Sequence, residues 1–177
     1  PYLMDLKSEL KLSGKKILIN GGPTYEPIDP VRFIGNHSSG KMGVALAEEA
    51  AKLGAEVTLA LGPNTVRPTN SSIKTILVST AVEMNLACSE HFKLADLAIL
   101  SAAISDYRPE QSANNKIKKT GASLEIKLVE NPDILAGLGK VKKEDQILIG
   151  FALETDNAIS NAIKKLHKKN CDLIVLN

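Results

Sequence analysis

Ile17, Leu18 and Ile19 form an apolar run too short for a helix, and it opens directly into GGPTYEPIDPVRFIGNHSSGKMG, Gly21 to Gly43. From Val44 to Leu53 the pattern turns helical, with Ala47, Ala50, Ala51 and Leu53 giving a small, packable face. A strand that feeds a helix through a loop rich in Gly, Ser and Asn confines the chain to the α/β class. It is also how such proteins build an anion site. Glycines let the backbone come close, and unpaired amides at the helix start point at negative charge. Connections of this type usually run about 2–6 residues, so a loop this long is there for function. Pro23, Pro27, Asp29 and Pro30 supply the turn chemistry to order it.

Two standard phosphate devices fail here. Gly35 to Lys41 (GNHSSGK) nearly spells a Walker A, but Met42 stands where a Ser or Thr would ligate magnesium, and the strand ends far upstream. No G-x-G-x-x-G opens the loop. The second strand ends Leu59-Ala60-Leu61-Gly62 without the acid that would hold a ribose, which disfavours an NAD-type dehydrogenase.

Strand and helix alternate through the rest of the chain. Lys15–Asn20 is the first strand, Ser38 or Ser39 caps the helix after it, and Gly54 stops that helix. Glu56–Leu61 and Ile73–Val78 follow as strands, separated by a turn-rich loop. Thr80 and Glu83 form a capping box that opens a helix to about Leu94. Asp96–Leu100 is a buried strand and Leu124–Val129, which alternates, an exposed or edge strand. Asn131 caps a short helix over Asp133–Lys143 with Pro132 in its first turn. Ile147–Phe151, a helix over Asp156–Lys169 and a strand over Leu173–Leu176 complete the order. The pattern predicts a Rossmann-like, doubly wound, mostly parallel sheet in a three-layer αβα sandwich. Ligands of such sheets bind beyond the carboxyl ends of the strands, so the segments after Asn20, Leu100, Val129 and Phe151 share one rim.

The 177 residues suffice for one domain with a real core, and 44% hydrophobic with 24% charged residues is ordinary globular composition. Aromatics make up 3% and there is no Trp, which removes the stacking platforms of single-strand nucleic-acid binders. A net charge of +2 gives no reason to seek a polyanion, so neither nucleic acid nor membrane is expected as a partner. Cys88 and Cys171 make no disulfide framework, and without a signal peptide or long apolar run the chain reads as cytoplasmic. His37, His91 and His167 lack metal-ligand spacing, so no zinc site is expected.

Several residues on the rim can do chemistry. Ser101, Ala102 and Ala103 admit a flat or phosphorylated ligand, or else serve tight packing. Asp106 could ligate magnesium or a sugar hydroxyl, or simply form a turn. Lys116, Lys118 and Lys119 are either a solvated face or the charge that neutralises a triphosphate. Lys164, Lys165, Lys168 and Lys169 crowd a helix C-terminus, where they suit the macrodipole without any ligand. Asn36 has no proton to trade, yet can orient a carboxylate or stabilise an oxyanion.

Taken in order, GGPTYEPIDPVRFIGNHSSGKMG, SAAISDYRP, KIKK, NPDIL, GFALET and KKN-x-DLIVLN resemble phosphopantothenoylcysteine synthetase over residues 15–177. The resemblance implies a ligase in which 4′-phosphopantothenate attacks the α-phosphate of CTP, or of ATP, releasing pyrophosphate, before cysteine displaces the nucleotide. It implies Asn36 and Lys116 as catalytic residues, with Asn36, Gly21 and Gly22 near the phosphopantothenate. Ser101, Ala102, Asp106, Lys116, Pro132, Asp133, Ile134, Leu135, Phe151, Lys165 and Lys169 would contact the nucleotide, and Asp106 would meet its magnesium. A homodimer is implied, as is fusion to or partnership with a flavin-dependent decarboxylase; residues 1–14 then read as a linker or N-terminal extension. The family's usual continuation past the last strand is expected to be missing. The alternative is a non-catalytic nucleotide-binding or regulatory module on the same fold.

Overall fold

The computed structural model describes residues 11–63, 66–119, 121, 123–152 and 157–176. Six parallel strands form its centre: β1 (Lys16–Gly21), β4 (Glu56–Leu61), β5 (Lys74–Leu77), β6 (Leu97–Leu100), β9 (Ile147–Ala152) and β10 (Leu173–Leu176), in the order β10-β9-β6-β1-β4-β5. β1 lies in the middle and pairs with β4 on one side and β6 on the other, Asn20 standing opposite Ala60 and Leu100. Chain order reverses between β1 and β6, so the crevice for a ligand opens beyond Gly21 and Leu100.

The residues of β1 explain the layers. Ile17 and Ile19 point to one face and Leu18 to the other, and all three are buried. On the first face they pack with Val57, Leu59 and Leu61 beneath Val44, Ala47 and Ala50 of α1 (Lys41–Lys52). On the other face Leu18, Ala60, Ala98, Leu100 and Leu148 meet two helices. These are α2 (Ala81–Phe92), through Met84, Cys88 and Phe92, and α3 (Ile134–Val141), through Ile134 and Leu138. Each fully buried Leu or Ile here contributes about 1.5–3 kcal/mol. α4 (Ala158–Lys168) packs on β10, the outermost strand. The three-layer Rossmann-like sandwich is the predicted one.

Helix ends follow local rules. Thr80 Oγ1 accepts from the Glu83 amide while Glu83 reaches back to the Thr80 amide, which is the expected capping box. Gly54, at φ 93°, ends α1: its amide bonds the Ala51 carbonyl and the Ala55 amide that of Ala50.

Three local expectations need correction. α1 is capped by left-handed Gly40 without a side-chain cap bond; the Ser38 hydroxyl turns instead to the Gly40 amide at 3.3 Å. α3 is capped by Asp133, which accepts from the Ala136 amide at 2.9 Å, and Asn131 is spent on other groups. Of the alternating run Leu124–Val129, only its end joins a strand, β8 (Leu128–Glu130), paired with β7 (Tyr107–Pro109) in a separate two-stranded sheet. The alternation upstream serves a small cavity where Leu124 and Ile126 meet Ile28 and Ile117.

The long loop after β1 is itself folded. β2 (Tyr25–Pro27) and β3 (Phe33–Gly35) form an antiparallel hairpin, with the Tyr25 and Phe33 rings stacked at 3.9 Å. Glu26 is buried and accepts the first amide of α2, from Ala81, at 2.9 Å, which locks the hairpin to the main body.

Candidate functional site

At the switch point the floor is built by Asn20, a polar residue fully buried at the end of an apolar strand. Its Oδ1 accepts the Ala102 amide at 2.9 Å and its backbone carbonyl accepts the Ser101 hydroxyl at 2.7 Å. The loop after β6 is thereby tied to Asn20 at the end of β1, through both its side chain and its backbone carbonyl. The Gly22 carbonyl takes the Ala103 amide at 2.9 Å, and Thr24 Oγ1 takes that of Ser105 at 3.0 Å. Against this floor α1 approaches without side chains: a Cβ on Gly43 would stand 2.7 Å from Gly21 Cα.

A cavity of about 440 Å³ opens on one side of the floor. It runs from Asn20 and Ala102 past Asp106 to the Pro132–Leu135 turn, and is closed by Phe151, Lys165 and Lys169. Lys165 donates to the Phe151 carbonyl at 2.7 Å, and Lys169 pairs with Asp133. Burial works against ionising Asp133, but the Lys169 ammonium and the Ala136 amide outweigh it and hold the carboxyl below its ordinary value. Lys165 and Lys169 at the far wall and the start of α3 offer positive groups to an anion, beside the carboxylates of Asp106, Glu130 and Asp133. Asn131 braces the mouth, donating to the Ser105 carbonyl at 2.8 Å and accepting from Arg108 at 3.2 Å.

A second cavity, about 670 Å³, lies next to the first and shares Ala102, Ile104 and Phe151 with it. Its wall is Gly22, Ser101, the Asn36–Ser39 loop and the first turn of α1. Asn36 Nδ2 donates to the Ile104 carbonyl at 2.9 Å. A carbonyl only accepts, so the amide nitrogen faces it and keeps its second N–H for another partner. Both volumes fall in the range of small-molecule sites.

Ala102, Asp106, Pro132, Asp133, Ile134, Leu135, Phe151, Lys165 and Lys169 come together in the first cavity. Ser101, Gly22 and Asn36 line the second. Gly21 lines neither and serves the close approach of α1; Lys116 lines neither and is exposed beside Ile117. The GFALET motif falls partly on residues 153–155, outside the described residues. Among the described residues no three His, Cys, Asp or Glu side chains gather into a metal site, and none of the helices is long and apolar enough to cross a membrane. Cys88 is sealed in the core, where burial pushes its thiol up to about 12.

Sequence reasoning missed Asn20 and Asn131. A lone Asn inside an apolar strand was a legible signal for Asn20, because a buried amide requires partners. Asn131 looked like a helix cap and gave no other sign.

Residues 12–177 match the DNA/pantothenate metabolism flavoprotein C-terminal domain family. A prokaryotic protein named cysteine/cysteine sulfinic acid decarboxylase is 54% identical over 170 residues, which is 96% of this chain and 47% of that protein. The coenzyme A biosynthesis bifunctional protein CoaBC of Vibrio parahaemolyticus is 48% identical over 168 residues, 94% of this chain and 42% of that protein. The chain thus spans less than half the length of these curated relatives. The crystal structure of the C-terminal domain of a coenzyme A biosynthesis bifunctional protein CoaBC superposes with a TM-score of 0.83 at 46% identity, covering 94% of this chain and 78% of that one. With nearly its whole length matched, the chain belongs to the DNA/pantothenate metabolism flavoprotein C-terminal domain family.

Proposed function

We propose that this chain joins 4′-phosphopantothenate to cysteine at the expense of CTP, as the ligase half of a coenzyme A biosynthetic protein. The observation that carries the reading is the pair of adjoining cavities at the switch point. One has Lys165, Lys169 and a helix start at its far wall, with the carboxylates of Asp106 and Glu130 nearer its mouth. The other is walled by Asn36 and the α1 N-terminus, and they meet at Ala102, Ile104 and Phe151. That arrangement suits a triphosphate in one chamber and a carboxylate substrate in the other, with the two reacting groups meeting at the shared wall. The bifunctional CoaBC relatives support the same assignment.

In this reading a carboxylate oxygen of phosphopantothenate bonds to the α-phosphorus of CTP, and pyrophosphate leaves with the electron pair of the broken P–O bond. The amine of cysteine then attacks the acyl carbon, loses a proton, and CMP departs. Lys165 and Lys169 hold the nucleotide, and Lys116, exposed outside both cavities, steadies triphosphate charge by reaching in from the Ile117 segment. The second N–H of Asn36 meets the oxygen that becomes anionic as the amine adds. Asp106 is a single exposed carboxylate, which fits one oxygen ligand of a magnesium ion arriving with the triphosphate and does not fit a protein-built cage. Magnesium would supply charge neutralisation at the phosphates. Phe33, Tyr107 and Leu128 on the two small sheets and Val31 in the β2–β3 turn are exposed apolar residues, which supports docking of a second copy there. A flavin-dependent decarboxylase fused to this domain agrees with the greater length of the relatives.

The test is turnover. Phosphopantothenate and cysteine are mixed with magnesium and either CTP or ATP, and pyrophosphate and the nucleoside monophosphate are scored. Amide formation matched by pyrophosphate and CMP is expected. Nucleotide binding with no amide product would leave a binding module in place of a ligase.

A further inference from the structure

The turn between β2 and β3 holds a carboxylate that the reaction above does not use. Asp29 is 3% exposed and divides its two oxygens between two tasks. Oδ1 closes the turn, accepting the amides of Val31 at 2.9 Å and Arg32 at 2.8 Å. Oδ2 accepts from the Arg32 guanidinium and from the amide of Ile117 at 3.0 Å, far along the chain. Arg32 Nη2 in turn donates to the Ile117 carbonyl at 2.8 Å. One ion pair therefore grips both backbone polar groups of Ile117, the residue between Lys116 and Lys118.

The segment around Ile117 belongs to no helix or strand. Its other backbone ties among the described residues are from the Ala113 amide to the Ile28 carbonyl, at 2.9 Å, and at its base from the Glu110 amide to the Lys127 carbonyl, at 2.9 Å. The grip acts together with the half-buried Ile117 side chain, which lines the small cavity with Ile28, Leu124 and Ile126, in fixing where Lys116 stands. Arg32 holds the Asp29 carboxyl well below the ordinary carboxylate range against the opposing effect of burial, aided by the Ile117 and turn amides, so the grip is charged at neutral pH.

We propose that Asp29 is a positioning residue: through Oδ2 and Arg32 it fixes the backbone of Ile117 and so sets Lys116 for the triphosphate. This rests on Lys116 serving the nucleotide as described above.

Asp29→Asn separates this role from turn closure. Asn forms the same turn through Oδ1 but presents an N–H group to the Ile117 amide where Oδ2 accepted. If Asp29 only closes the turn, the variant should be silent. If it positions Lys116, kcat with CTP in the full chain should fall about 10- to 100-fold. The Ile117 amide should then exchange faster with solvent, and Asp29→Asn should cost nothing further on a Lys116→Ala background. Should Asp29→Asn fold poorly, Arg32→Lys keeps a cation for Asp29 Oδ2 but loses the planar fork that also reaches the Ile117 carbonyl, and the same loss is expected. Unchanged kcat in either folded variant, or losses that multiply in the double variant, overturns the proposal. If Lys116→Ala is itself silent, the catalytic reading of that lysine fails and this proposal with it. A protected Ile117 amide would then show that the grip is real but positions nothing.

Discussion

Helix α3 contains two glycines two residues apart, Gly137 and Gly139, and they should respond to alanine in opposite directions. Gly→Ala in a helix interior ordinarily stabilises by about 0.5–1 kcal/mol through chain entropy and propensity. At Gly137 a Cβ meets nothing within 4 Å, so the full gain is expected. At Gly139 a Cβ would stand 1.9 Å from the Lys169 carbonyl oxygen and 2.9 Å from its carbon, where ordinary contact begins at 3.4 Å. Backbone must therefore give by about 1.5 Å, and overpacking of that kind costs about 1–3 kcal/mol or more. The Asn170 Nδ2 bond to the Gly139 carbonyl, 2.9 Å, would be strained as well. A clash with backbone takes the upper part of that range, about 2–3 kcal/mol, and subtracting about 1 kcal/mol of propensity gain leaves Gly139→Ala destabilised by about 1–2 kcal/mol. For a chain of this size each kcal/mol moves Tm by about 2–4 °C. Calorimetry should thus show Gly137→Ala melting about 1–4 °C higher and Gly139→Ala about 2–8 °C lower. Because the displaced residue is Lys169, Gly139→Ala should also weaken CTP binding although it touches no ligand, while Gly137→Ala should not. Two alanines that shift Tm in the same direction would refute the close contact between α3 and the end of α4 on which the cationic wall of the first cavity depends.

Acid should destabilise the fold in a defined window. The carboxyls of Asp29, Asp133 and Asp172 are all held below their ordinary 3.8 in the folded state: Asp29 chiefly by Arg32, Asp133 and Asp172 by Lys169 and Lys142, which overcome burial. Depressed carboxyls contribute stability that is full above 3.8 and is lost as pH falls through the folded values. Denaturant midpoints should therefore hold steady down to about pH 5 and drop below about pH 4, and a flat profile to pH 3 would contradict the pairings. Asn36→Asp keeps the shape but puts negative charge beside the activated carboxylate. Amide formation should fall about 100- to 1000-fold with the acyl-cytidylate detectable by mass spectrometry, whereas a variant that melts lower yet turns over normally per folded molecule would make Asn36 a brace for the Ile104 carbonyl and nothing more.

The fold was legible because its signals were periodic. Ile17–Ile19, Leu59–Leu61 and Leu97–Leu100 are short apolar runs, and each is a strand of the central sheet. The capping box at Thr80 and the glycine stop at Gly54 obey rules that need only neighbouring residues. What failed were decisions that depend on distant partners. Asp133 displaced Asn131 as the cap of α3 because Asn131 is engaged by Ser105 and Arg108, more than twenty residues upstream. The alternation over Leu124–Ile126 looks like a strand but lines a small cavity with Ile28 and Ile117, a requirement no local window contains. The hairpin inside the long loop escaped because three-residue strands carry too little pattern to be told from turns. At the site, the segments after Asn20, Leu100 and Phe151 could be assigned to one rim from strand order alone, whereas the segment after Val129 reaches the cavity from a separate two-stranded sheet and not as a strand end of the central one. The division of that rim into two cavities, and the Asn20 staple that holds the loop after β6 to β1, emerge only when side chains meet.

The central claim is that the chamber between Asp106, the Pro132–Leu135 turn and the Lys165–Lys169 wall receives the nucleotide. A crystal structure of the protein with CTP and magnesium tests it most directly. The account predicts the phosphates within hydrogen-bond distance of Lys165 or Lys169, with the α-phosphate toward Ala102 and Asn36 left open to the second substrate. CTP bound in the Asn36–Ser39 chamber instead, with the Lys169–Asp133 pair undisturbed, would contradict it.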